Sequence, residues 1–242
     1  MAVNIEQYQQ IRNELGSEVT LVAVSKTKPV EDIKVLYDLG QRDFGENYVQ
    51  ELAEKQLLLP DDIRWHFIGH LQSNKVKYIA PFVHLIHGVD SYKLLLEIEK
   101  QAAKNLRSIQ CLLQVHIAQE ETKFGFNAAE LADVMEALKK GQLRHVQVRG
   151  LMGMASFTED EQHIQKEFIY LKGLFDEYFP SLHPGLPGSV TDPQILVAEY
   201  PSSNPSLPIL SMGMSSDYRL AIACGSNMVR VGSLLFGARS KP

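Results

Sequence analysis

Cysteine is scarce in this chain of 242 residues, occurring only as Cys111 and Cys224. The two lie far apart in apolar or small-residue surroundings, without metal-type spacing, so neither a disulfide framework nor a zinc site is indicated. Long hydrophobic runs are missing too, and no stretch reaches the ~18 apolar residues of a membrane span. The opening segment, Met1 to Gly16, is polar and lacks the apolar core of a secretory signal. No Asn-x-Ser/Thr acceptor occurs, since Asn204 is followed by Pro205. Positive charge is not in excess: 24 Lys+Arg against 29 Asp+Glu leave a net charge of −5. That balance gives no footprint for a polyanion and excludes nucleic acid as the main partner. Gly-rich dinucleotide fingerprints and the Walker A loop are also absent. What remains is the expectation of a cytoplasmic chain with no membrane partner.

Hydrophobic residues at 45% and charged residues at 22% are ordinary globular values. Short β-branched runs alternate with amphipathic helical stretches along the whole chain. After a helical Asn4 to Leu15, the nearly unbroken apolar run Val19 to Ser25 reads as a strand buried on both faces of a parallel sheet. Pro29 opens a helix with Ile33, Leu36 and Tyr37 on one face. The rhythm predicts further strands at Asp43 to Asn47, Arg64 to Gly69, His84 to Val89, Ile109 to Ala118, His145 to Met154, Ile209 to Met214 and Met228 to Phe236. Helices are expected between them, the longest from Asp160 to Phe179. The Pro-, Ser- and Gly-rich stretch 180–208 reads as a surface insertion. Eight strands with intervening helices predict a single (β/α)8 barrel over residues 1–242. The helix after strand eight is missing from this pattern, and the amino-terminal helix is expected to fill its place.

A barrel places its active site at the carboxyl ends of its strands. Lys26 follows strand one directly, where low-dielectric walls and the nearby Lys28 disfavour an ammonium ion. A neutral amine there is the nucleophile of a Schiff base. For a random lysine, an ordinary surface position is the commoner explanation. At the other end of the chain, Ser211-Met-Gly213-Met-Ser215 closes strand seven, and Arg230-Val-Gly232-Ser233 lies in strand eight. Hydroxyls, backbone N–H groups and close-approaching glycines suit a phosphate, although serine caps and strand glycines are common for structural reasons alone. Strands one and eight are neighbours in a closed barrel, so an aldehyde bearing a phosphate fits both features. Asn47 ends strand two, either facing the mouth or capping the next helix. His66 reads as polar lining of the mouth or as a hydrogen-bonded core histidine. His66, His70, His84 and His87 lack the carboxylate or thiolate company of a metal site. Ser25-Lys-Thr-Lys28 matches the Ser-x-x-Lys of penicillin-recognising enzymes, but their other elements are absent.

Several ordered motifs carry a more specific signal: Ala23-Val-Ser-Lys26-Thr-Lys-Pro29, Phe44-Gly-Glu-Asn47-Tyr, Trp65-His-Phe-Ile-Gly-His-Leu-Gln-Ser-Asn-Lys75, Lys123-Phe-Gly125, Gly150-Leu-Met-Gly-Met154, Leu210-Ser-Met-Gly-Met-Ser-Ser-Asp217 and Val229-Arg-Val-Gly-Ser-Leu-Leu-Phe-Gly-Ala-Arg239. In these the chain resembles the pyridoxal phosphate homeostasis proteins. The resemblance implies a pyridoxal-phosphate-binding barrel of the alanine racemase type (fold type III) without the C-terminal β domain, cytosolic and without established catalytic turnover. It implies a role in vitamin B6 balance, with pyridoxal 5'-phosphate held as a Lys26 aldimine and supplied or buffered. Arg230 is then expected to face the pyridine nitrogen, leaving it unprotonated and the ring a poor electron sink. Ser211, Gly213, Ser215, Gly232 and Ser233 are expected at the phosphate and Asn47 beside the ring, with His66 counted among the cofactor-binding residues as lining of the mouth. The chain departs from the family pattern at Asn227, at Tyr218-Arg219-Leu220 and in the length of 180–208.

Two other uses of the same lysine compete with a carrier that serves apo-enzymes. One is an amino-acid racemase or decarboxylase, the other a cofactor-free Schiff-base aldolase. Racemases of this type continue into a β domain that supplies a second acid/base and a dimer. The present sequence stops just after strand eight, which favours a monomeric carrier.

Overall fold

A computed structural model describes residues 3–118, 124–141, 143–180 and 207–237. Most of the insertion expected at 180–208 lies outside the described residues, as do Lys123 and Arg239 of the quoted motifs. Eight strands form the wall: β1 (Thr20–Val24), β2 (Asp43–Glu46), β3 (Arg64–Phe67), β4 (Leu85–Val89), β5 (Ile109–Gln114), β6 (Val146–Met152), β7 (Ile209–Ser211) and β8 (Met228–Val231). They pair in chain order, all parallel, and β8 returns to β1 to close a barrel. Across that seam Val22 aligns with Arg230 and Ala23 with Val231.

The outer ring consists of α1 (Ile5–Leu15), α2 (Val30–Asp38), α3 (Val49–Leu58), α4 (Val76–Ile79), α5 (Tyr92–Lys104), α6 (Ala128–Lys139), α7 (Glu161–Tyr178), α8 (Tyr218–Ala223) and α9 (Ser233–Phe236). Short polar side chains start several of them. Asn4, Ser91 and Asp160 accept hydrogen bonds from first-turn N–H groups, and Asn127 with Glu130 forms a reciprocal capping box. Alternation divides the strand side chains between two spaces. Phe44, Trp65, Phe67, Ile86, Leu210 and Val229 face outward into the main core between wall and helices. Val22, Leu85, Leu112, Met152 and Met228 form a smaller apolar cluster within the barrel. Cys111 is fully buried in β5, whereas Cys224 caps α8 and is half-buried.

The strand ends differ most from the sequence reading. Strand eight was expected to run to Phe236, but its ladder stops at Val231 and the apolar Leu234-Leu235-Phe236 turns into α9. A helix therefore does follow strand eight. The expected filling of the ring by the amino-terminal helix is also present: Asn4 N–H donates to the Leu235 carbonyl at 2.8 Å, and Tyr8, Ile11 and Leu15 of α1 are buried in the main core. Each such side chain contributes about 2 kcal/mol of hydrophobic stabilisation. Strand seven ends at Ser211 rather than Met214, because Gly213 turns the chain at φ +96°. The next helix begins at Tyr218 instead of Ser215, after a turn in which Met214 N–H donates to Asp217 Oδ1 at 2.6 Å.

Candidate functional site

Lys26 emerges at the carboxyl end of β1, half-buried, in a turn that fixes its backbone from both sides. Ser25 N–H donates to the Gly45 carbonyl, continuing the ladder one residue past the strand. Thr27 then adopts φ +62°, an uncommon conformation for a β-branched residue. Its N–H donates to Glu51 Oε1 at 2.6 Å, which holds the strained turn in place. Behind the turn lies a buried ion cluster. Lys55 Nζ donates to Glu46 Oε1 at 2.8 Å, Glu51 Oε1 at 2.7 Å and the Ser25 carbonyl at 2.8 Å. Ser25 Oγ also donates to Glu46 Oε1, at 2.6 Å. Burial pushes the Glu46 carboxyl upward, and the Lys55 ammonium opposes that rise. Lys28 Nζ donates to the Phe236 carbonyl at 2.7 Å and so latches the turn onto α9.

Asn47 follows β2 at the same end of the barrel. It does not cap α3, whose N-terminus has no side-chain cap. Its buried Oδ1 has no hydrogen-bond partner among the described residues. Around the seam, Gly213 (φ +96°) follows β7 and Gly232 follows β8. The Gly213 carbonyl accepts from Arg230 N–H at 3.0 Å. Ser215 Oγ accepts from Gly232 N–H at 3.2 Å, and exposed Ser233 opens α9. A Cβ on Gly232 would come within 3.2 Å of both Val24 Cβ and the Val24 carbonyl oxygen, so the chain passes closely over the end of β1. Arg230 is 4% exposed; burial pulls its guanidinium down to about 10, and Asp217 partly opposes the shift.

Two expected rim residues lie deeper. Ser211 is fully buried, with its Oγ accepting from Arg230 Nη1 at 2.6 Å and lying 3.1 Å from His87 Nδ1. That hydroxyl points into the barrel, because Ser211 is the last inward residue of β7, and within the protein it is engaged by Arg230. His66 is the core histidine of its two readings: Nδ1 lies 2.9 Å from His87 Nε2, and Nε2 lies 3.0 Å from Asp43 Oδ1. It borders a cavity of about 400 Å³ at the opposite, amino-terminal end of the strands, together with Asp43, Arg64, His84 and Arg149. His70 shares no strand face with it. β3 ends before His70, which pairs with Asp90 at 3.0 Å and stacks on Phe124.

Of the three departures from the family pattern, two fall on described residues, at Asn227 and at Tyr218-Arg219-Leu220. Asn227 ties the start of β7 to β8, accepting from Leu210 N–H and donating to the Pro208 carbonyl. Tyr218 and Arg219 both donate to Glu14 of α1, at 2.7 and 3.0 Å, so Arg219 is already neutralised. Sequence reasoning missed Asp43, Glu46 and Lys55. The Glu51/Lys55 spacing of four was a visible signal for one ion pair, whereas nothing local marked Asp43.

Comparison with known proteins follows the same geometry. The family described as "Alanine racemase, N-terminal domain" matches residues 4–187. Curated relatives named pyridoxal phosphate homeostasis protein include those of Pasteurella multocida, 37% identical over 98% of this chain and 93% of the relative, and Aquifex aeolicus, 40% identical over 90% and 86%. Among solved structures, PipY of Synechococcus elongatus with PLP bound superposes with a TM-score of 0.78 at 35% identity, covering 96% of this chain and 99% of PipY. The alanine racemase of Bartonella henselae gives a TM-score of 0.70 at 14% identity, covering 98% of this chain but 60% of the racemase, a likeness of fold alone.

Proposed function

The chain belongs to the alanine racemase N-terminal-domain family and within it to the pyridoxal phosphate homeostasis proteins, and from this premise we propose that it binds pyridoxal 5'-phosphate at the carboxyl-terminal mouth of its barrel. It holds the cofactor for vitamin B6 balance and hands it, as a monomer, to apo-enzymes. The observation that carries the reading is the seam. β1 and β8 pair so that Lys26, three residues past Ala23, and Gly232-Ser233, directly past its partner Val231, reach the rim side by side.

The residues present fit the group. Pyridoxal phosphate supplies an aldehyde that condenses with an amine, losing water, and a dianionic phosphate. Lys26 is the amine, set by the Thr27 turn. The backbone at Gly213 and Gly232, with Ser215 and Ser233, forms a cradle, and the missing side chain of Gly232 lets it lie close over Val24 at the end of β1. The unpartnered Oδ1 of Asn47 is a buried acceptor awaiting a donor, a state that costs about 1–3 kcal/mol when unmet. Arg230 brings a cation that cannot give up its proton at neutral pH, the assignment we make for the pyridine nitrogen.

Mixing the purified protein with pyridoxal 5'-phosphate and recording its absorption tests the reading. A yellow species is expected, trapped on Lys26 by borohydride and lost in Lys26→Ala. An adduct on another lysine would remove Lys26 from its role. Transfer to an apo-enzyme, compared with the free cofactor, tests the carrier role, and robust amino-acid turnover would replace it with catalysis.

A further inference from the structure

Five inward-facing polar side chains, one from each of five strands, cross the barrel interior in a single line. Arg230 Nη1 donates to Ser211 Oγ at 2.6 Å, and Ser211 Oγ lies 3.1 Å from His87 Nδ1. His87 Nε2 lies 2.9 Å from His66 Nδ1, and His66 Nε2 lies 3.0 Å from Asp43 Oδ1. Arg64 closes the line in the lower cavity with a two-pronged pair to Asp43 at 2.7 and 2.5 Å. Barrel interiors are usually filled by branched aliphatic side chains, and Val22, Leu85, Leu112, Met152 and Met228 fill the remainder of this one.

The two ends fix the direction of every bond between them. A guanidinium only donates and a carboxylate only accepts. Burial raises the Asp43 carboxyl, but Arg64 and His66 outweigh it and hold the group well below the usual carboxylate range. Asp43 therefore accepts, which places a proton on His66 Nε2. With neutral imidazoles, His66 Nδ1 must accept from His87 Nε2, and His87 Nδ1 must accept the Ser211 hydroxyl proton. The Ser211 oxygen keeps its lone pairs for Arg230. With both rings neutral, this is the one arrangement of hydrogens that satisfies all four links; a doubly protonated His66 would reverse the two links through His87.

We infer that Asp43, His66 and His87 are positioning residues for Arg230, acting through Ser211 as a one-directional hydrogen-bond chain from the lower cavity to the cofactor end. The inference rests on the reading that Arg230 faces the bound cofactor. Arg230 is held at two points, by Ser211 and by the Gly153 carbonyl at 3.0 Å. The chain makes the first of these a stronger acceptor and so sets the plane of the guanidinium. No apolar substitute at His66 or His87 would do so.

The hydrogen arrangement is tested on the cofactor-free protein by nitrogen-15 NMR of its histidines. His66 and His87 are expected as neutral rings protonated on Nε2; a proton on His87 Nδ1 would overturn the direction. Asp43→Asn, His87→Phe and the milder Ser211→Ala then test the effect on bound pyridoxal 5'-phosphate. Each is expected to move the absorption maximum of the unreduced yellow Lys26 species and to weaken retention about tenfold, the loss of one hydrogen bond to a charged group. Circular dichroism identifies any variant that fails to fold, and Ser211→Ala decides the matter if both larger changes do. Variants that lower the thermal midpoint while leaving absorption and retention unchanged would overturn the positioning role. Absence of cofactor uptake by the unsubstituted protein would overturn the functional reading instead, while the NMR result reports on the chain by itself.

Discussion

Gly232 acts by having no side chain. A methyl group there meets the Val24 Cβ and carbonyl oxygen at 3.2 Å, and both belong to the wall of the barrel rather than to a flexible tip. Gly232→Ala is therefore expected to cost about 1–2 kcal/mol of stability by overpacking and to weaken cofactor retention more than its fall in thermal midpoint would suggest. Equal retention at equal occupancy would show that the rim does not form the cradle. Gly213→Ala combines φ +96° with a 2.6 Å approach to Ala221 Cβ, so calorimetry should register a loss of at least ~2 kcal/mol. Lys26 was legible as a strand-end residue because the apolar run Val19 to Ser25 stops where β1 leaves the core, whereas Gly232-Ser233 was picked out by residue type alone, since the apolar run there continues past the end of β8. His66 and Ser211 were not. Period two shows that both face inward, but inward residues of the upper and lower layers look alike in a sequence. Only the register between strands separates them.

At the scale of elements, α3 is joined to β2 by charge as well as by packing. Lys55 and Glu46 have side chains 7% and 0% exposed, 2.8 Å apart, and the same ammonium reaches Glu51 and the Ser25 carbonyl. Lys55→Met leaves a buried carboxylate without its cation and is expected to cost ~3–5 kcal/mol. Chemical denaturation should show most of that loss recovered in Lys55→Met/Glu46→Gln, where no fully buried charge is left unpaired and only the partly exposed Glu51 loses its cation. If the double variant is no better than the single one, the cluster matters for its packing alone. The longer helices, such as α5 and α7, were read well from sequence because caps and amphipathic faces are local, whereas the short α8 began later than expected and α9 was missed. The ends of β7 and β8 were not, since Leu234-Leu235-Phe236 continues an apolar run that is buried by α1, an element more than 200 residues earlier. Apolar character records burial, and the strand ladder ended on a partner remote in sequence.

Over the whole molecule, the barrel interior makes stability depend on acid. Burial holds His84 down to about 4 and His87 well below 6.5. For groups whose folded pKa is depressed, the stabilisation is present above the unfolded value of 6.5 and is lost as pH falls toward the folded one. Between about 6.5 and 4 the unfolded chain binds more protons, so urea midpoints should fall steadily across that window. Asp43 adds a second loss below the ordinary aspartate value, because its folded carboxyl is also depressed. His84→Asn should flatten the upper part of the profile, and a midpoint constant from pH 6.5 to 4 would contradict neutral burial of these rings. The two thiols described with the fold offer a direct view of such openings. Burial pushes both upward, but Cys111 lies wholly within β5 while Cys224 is reachable at the end of α8. An alkylating reagent should mark Cys224 first and Cys111 only when β5 parts from its neighbours. The protein thus carries its own internal clock and its own reference: the ratio of the two labelling rates times the breathing of the barrel.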